Sequence, residues 1–142
     1  MGGTLIARLL DPQRSGVYRA AQVRPIEEAV EGSGLRLARV VLGPGAAKTE
    51  MLAAFGRALD FPPWFGANWD ALEDCLADLS WSDAAGHVIL IEGAAGARAE
   101  DLGVLEDILA AAASYWAARA RPFFAVFVAG PARLAPLYRE RD

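Results

Sequence analysis

Asp70, Glu73, Asp74 and Asp78 stand at the spacing that places side chains on one face of a helix. Grouped carboxylates support three kinds of chemistry. Asp70 and Asp74, one turn apart, can hold a divalent cation with water. The same pair can act as general acid and base. The strip can also offer fixed negative charge to a basic macromolecule. A fourth reading is bland, because most charge runs are solvated helix faces. The chain brings little else to catalysis. His87 opens an apolar run without a Cys or His companion, which argues against a metal site. Gly43-Pro-Gly45 lacks the Gly-Lys-Ser/Thr ending of a phosphate loop. Neither a catalytic residue, a metal nor a cofactor is expected.

Three features favour the charge-presenting reading. Between Arg57 and Arg98 there is no Lys or Arg, while Asp60, Asp70, Glu73, Asp74, Asp78, Asp83 and Glu92 all fall there. No Lys one turn away relieves the repulsion among Asp70, Asp74 and Asp78. Trp64, Phe65 and Trp69 also cluster beside the strip, after the rigid Pro62-Pro63 pair. The acidity is thus a patch within a chain of net charge −4, and it disfavours nucleic acid or an anionic membrane as partner.

The spacing predicts a helix from Asn68 to Leu79, ending near Trp81. Asn68 suits the N-cap, since its side-chain carbonyl can accept a free first-turn N–H. Asp70 then sits where the helix dipole favours negative charge. Trp69, Leu72, Cys75, Leu76 and Leu79 fall on the opposite face, so they should be buried while Asp70, Asp74 and Asp78 are exposed. Trp69 should be half-buried, and Trp64, at a loop tip, is the better candidate for partner contact. Cys75, the only cysteine, reads as a small buried hydrophobe and fits a reducing cytoplasm.

The elements that carry this helix are legible to different degrees. Residues 4–10 leave strand and helical turn both open. Val17–Ala20 reads as a short strand, and Ile26–Glu31 as a short acidic helix entered through Pro25. Leu35–Leu42 reads as a strand. Thr49 is expected to cap a helix whose stripe is Met51, Leu52, Phe55, Ala58 and Leu59. His87–Glu92 and Phe123–Val128 are continuous apolar runs, as in strands covered on both faces. Between them Leu102, Leu105, Ile108, Leu109, Ala112, Tyr115 and Trp116 recur at helical spacing. Trp81 and Trp116 are expected in the core. Leu134, Leu137 and Tyr138 can pack a short tail. This alternation predicts an α/β fold, a small mostly parallel sheet flanked by helices, with an extra N-terminal strand and helix.

The run Trp64-Phe-Gly-x-Asn-x-Asp-Ala-Leu-x-Asp-Cys-Leu76 resembles the signature loop and helix of the barstar family of intracellular ribonuclease inhibitors. A weaker resemblance extends over residues 35–130. It implies a three-layer barstar-like domain spanning residues 1–142, with residues 1–34 as an N-terminal extension and 131–142 as a tail. It implies a basic, guanyl-specific, barnase-like ribonuclease as partner, inhibited by occlusion of its cleft. Asp74 would take a phosphate-like position, supported by Asp70. Trp64, Asn68, Trp69, Glu73, Ala77 and Asp78 would line the contact, with Phe65 and Gly66 in the signature turn. The chain departs from the pattern at Glu73, where the type protein has tryptophan, and at Ala77-Asp78, where it has threonine–glycine. The long helix offers Ala where the type protein has a partner-facing glutamate. The alternatives are an immunity or antitoxin protein for a different basic toxin, and an enzyme or metal-binding domain using Asp70 and Asp74.

A chain of 142 residues with 54% hydrophobic residues suits one domain with a sizeable core. No apolar run approaches a membrane span, and the N-terminus is too polar for a secretory signal. Gly2 lacks the downstream Ser/Thr of a myristoylation site. A cytoplasmic protein, monomeric before binding, is expected.

Overall fold

A computed structural model describes residues 4–139; Gly2, and the end of the C-terminal tail from residue 140, lie outside the described residues. In chain order the elements are α1 (Leu5–Leu9), β1 (Gly16–Ala20), α2 (Arg24–Val30), β2 (Leu35–Val41), α3 (Lys48–Ala58), α4 (Trp69–Asp78), β3 (Gly86–Glu92), α5 (Ala99–Ala117) and β4 (Phe123–Val128). Residues 4–10, ambiguous in sequence, form the helical turn α1, with Thr4 Oγ1 accepting from the Ala7 N–H. Thr49 does not cap α3. The N-cap is Ala47, which is extended at φ −83°, and no side chain bonds there. The helix starts one residue before Thr49, which therefore lies inside the first turn.

The four strands are all parallel, in the order β1-β4-β3-β2. A parallel sheet needs both faces covered, which is why β3 and β4 are apolar almost throughout. Val40, Ile89, Ile91, Ala125 and Phe127 join the core beneath α3, α4 and α5. Val88, Leu90, Phe124 and Val126 face Leu9 of α1, Ile26 and Val30 of α2, and Leu137 of the tail. The extension thus supplies part of the sheet: β1 pairs with β4 from Gly16 opposite Phe124 to Ala20 opposite Val128.

Both sheet edges are protected. The tail covers β1, where the Arg19 N–H donates to Ala135 O and the Leu137 N–H to Arg19 O, both at 2.9 Å. On β2, Arg36 pairs with Asp60 at 2.7 Å, and Arg39 with Glu92 at 2.9 Å. Where β3 ends, Gly93 has φ +85°, and a side chain there would run into the carbonyl oxygen of Leu42. Only glycine allows the exits of β2 and β3 to approach so closely.

Trp81 and Trp116, expected in the core, are half-buried instead. Each indole N–H donates to the backbone carbonyl of a buried leucine, Trp81 to Leu59 O at 2.9 Å and Trp116 to Leu76 O at 2.7 Å. A ring with a polar edge settles where that edge finds a partner.

His87, 6% exposed at the start of β3, shares a 3.0 Å hydrogen bond with Ser82 Oγ. Burial, then the positive charges of Arg36 and Arg121, push its pKa down from 6.5 to about 4. The folded state therefore favours neutral imidazole, and its contribution is complete above pH 6.5 and lost as the pH falls towards 4. Wild type measured against His87→Gln should lose on the order of 3 kcal/mol across that window. Chemical denaturation of both proteins at a series of pH values checks this. Parallel stability profiles would contradict it.

Candidate functional site

The segment before α4 is built by aromatic packing. Phe61 meets Phe65 edge-on at 4.9 Å between ring centroids and Trp81 at 5.9 Å. Trp81 also takes the edge of Trp64 at 6.3 Å, yet Trp64 remains 62% exposed. The Phe65 N–H donates to Pro62 O at 3.0 Å, which closes the turn. Asn68 then leaves the turn in extended geometry, and its Oδ1 accepts from the Ala71 N–H at 2.7 Å. Rotation of the following helix is fixed by burial. Leu72, Cys75 and Leu76 are fully buried and Leu79 is 3% exposed. The Trp116 bond to Leu76 O ties the same helix to α5.

With that face inward, Asn68, Asp70, Glu73, Asp74 and Asp78 are exposed, Trp69 and Ala77 are half-buried, and Gly66 is exposed beside the half-buried Phe65. The structure brings the sequence-derived residues to one surface, α4 and its entry turn. It divides the acidic interval that surrounds them. Asp60 and Glu92 are neutralised by Arg36 and Arg39. Among the described residues, Asp70, Glu73, Asp74, Asp78 and Asp83 make no ion pair within the chain.

Three participants were not assigned from sequence. Phe61 and Trp81 support the turn that holds Trp64. Lys48, the single lysine, places its Nζ 5.6 Å from the Trp69 ring centroid. Phe61 opens the aromatic run and gave a signal that was available; Lys48 is far away in sequence and gave none.

Burial, then Asp78 and Asp74, push the Cys75 thiol above its ordinary pKa, so it stays protonated and unreactive. Among the described residues no three His, Cys, Asp or Glu side chains are grouped to hold a metal ion. Nor is any described helix long and apolar enough to cross a membrane. What the surface offers is charge, held on a capped helix beside an exposed indole.

Fold and surface together define a small parallel α/β protein with an acidic helix turned to solvent. The barstar family model, described as barstar (barnase inhibitor), matches residues 36–128, and the chain belongs to this family. The match runs from β2 through β4, so α1, β1 and α2 lie before it. Among curated proteins none matches the chain.

Two substitutions separate the faces of α4. Asp78 ends the helix, where the dipole disfavours negative charge, and it lies one turn from Asp74. Asp78→Asn should raise stability by roughly 0.3–1 kcal/mol. Leu76→Ala should lower it by about 2–5 kcal/mol through a core cavity. Denaturant titration measures both; a destabilising Asp78→Asn would mean the carboxylate has a structural partner.

Proposed function

We propose that this protein inhibits a basic, guanyl-specific ribonuclease of the barnase type inside the cell that produces it, by lodging the acidic face of α4 in the enzyme's RNA cleft. The observation that carries the reading is the set of exposed carboxylates, Asp70, Glu73, Asp74 and Asp78, without ion pairs among the described residues and on a helix within the family-matched segment. A ribonuclease cleft is lined with cations that hold RNA phosphates. Carboxylates fixed on a rigid helix can stand where phosphate oxygens would sit, and charge-assisted hydrogen bonds then form without reordering the inhibitor.

Each site residue has a part in this reading. Asp74, near the middle of the acidic arc, takes the phosphate-like position, and Asp70 supports it from the first turn. Trp64 contacts the partner with its exposed ring. Asn68 and Gly66 shape the approach, while Phe65 and Trp69 hold the turn from beneath. Glu73, Ala77 and Asp78 complete the contact. The protein acts in the cytoplasm as a monomer before binding, and binding needs neither cofactor nor metal.

A second reading keeps the surface and changes the partner. Glu73 and Asp78 add charge at positions where the type protein has tryptophan and glycine, and Ala77 stands in place of threonine. That extra charge favours an immunity protein for a more basic toxin than barnase. An enzymatic role for Asp70 and Asp74 lacks a neighbouring nucleophile or histidine: His87 is buried against Ser82.

The test is inhibition of a small basic ribonuclease by wild type and by Asp74→Ala. The mutant should melt normally, because it loses only a repulsive neighbour of Asp70 and Asp78. Its inhibition should weaken by about 2–5 kcal/mol, since truncation strands a buried partner cation. Full inhibition by the mutant would remove Asp74 from the working surface. Failure of wild type to inhibit any such ribonuclease, with binding to another basic toxin retained, would favour the second reading.

A further inference from the structure

Away from the acidic helix, the chain leaving β3 turns towards α5, whereas the chain leaving β4 turns into the tail that covers β1. Adjacent parallel strands whose continuations part in this way leave a crevice at their carboxyl ends, the usual ligand position in open α/β sheets. Here the crevice encloses about 450 Å³. That is within the range of about 300–1,000 Å³ that small-molecule sites occupy. Leu102 and the buried Phe127 line it, together with Ala94, Ala95 and Ala99, whose short side chains leave the space open.

Its charged lining residues are Glu106 and Arg133, and they satisfy each other: both Glu106 carboxylate oxygens accept from the Arg133 guanidinium, each at 2.6 Å. Among the described lining residues no uncompensated cation remains for an anionic ligand, and Glu100 and Asp101 in the first turn of α5 oppose one. No uncompensated carboxylate in the lining remains for a cation. We propose that this crevice is a binding site for an uncharged, mainly apolar small molecule, in contact with Leu102 and Phe127 and bordered by the Glu106–Arg133 pair. The site is separate from the acidic face and does not depend on the ribonuclease reading.

The probe is N-phenyl-1-naphthylamine, a neutral dye whose fluorescence rises in apolar surroundings. The full chain should bind it saturably at one site, with amide shifts centred on Ala94, Leu102 and Phe127. Ala99 and Ala95 are exposed at the crevice wall, so larger side chains there can fill it without disturbing the core. Ala99→Phe should melt like wild type and bind the dye at least about tenfold more weakly, a change of about 1.4 kcal/mol. If Ala99→Phe fails to fold, Ala95→Phe carries the comparison, and the shift map stands without either. Absence of saturable binding, shifts centred on Trp64 and Trp81, or unchanged affinity in a folded filled variant would each overturn the proposal.

Discussion

The burial of Leu72, Cys75, Leu76 and Leu79 sets the rotation of α4, and with it the direction in which every carboxylate of the helix points. Removing a leucine side chain from water is worth about 1.5–3 kcal/mol. A like-charge pair one turn apart costs only a few tenths of a kcal/mol. Packing therefore wins by a wide margin, and Asp70, Asp74 and Asp78 stay together in solvent despite their repulsion. Asn68 at one end and the left-handed Leu79, φ 47°, at the other confine the helix to the length that carries them. The aromatic turn before it packs on α3 at Gly56, and the Trp116 bond ties the helix to α5.

The distribution of charge follows from where cations can reach. Arg36 and Arg39 stand on the β2 edge, so they neutralise Asp60 and Glu92, which end neighbouring segments. Neither pairs with α4. Lys48 lies over the Trp69 ring and makes no ion pair among the described residues. The acidic face is thus narrower than the sequence interval suggests, and its field is concentrated on one helix and Asp83. Exposed charge of this kind adds little to stability. Under the proposed function, its consequence is attraction of a basic partner at distances beyond contact.

Much of this was legible because local signals agreed. Asn68 caps α4, the two faces segregate at helical spacing, and β3 and β4 are continuous apolar runs of strand length. Family-like residues 64–76 coincide with the most regular part of that pattern. What the sequence left open has a common cause, which is dependence on distant residues. Residues 4–10 are too short to decide their own conformation; Leu9 is helical within a core completed by Leu137. Thr49 is a plausible cap, but the chain enters α3 two residues sooner, at Ala47, with Ala46 buried just before it. Trp81 and Trp116 look like core residues until the carbonyls of Leu59 and Leu76 are known to lie within their reach. The pairing of Arg39 with Glu92 joins residues that only the parallel register of β2 and β3 brings together, and that of Arg36 with Asp60 depends on the end of α3 lying beside β2.

If the uncompensated carboxylates of α4 act on a basic partner, they act before contact as well as in it. The most direct measurement is the association rate constant of the protein with a small basic ribonuclease that it inhibits, by stopped flow across a series of ionic strengths. The field of α4 should be screened beyond about 8 Å at 0.15 M salt, so association should slow steeply as salt rises while dissociation changes much less. An association rate independent of salt, for a complex that still forms, would contradict the claim that this acidic face guides the partner.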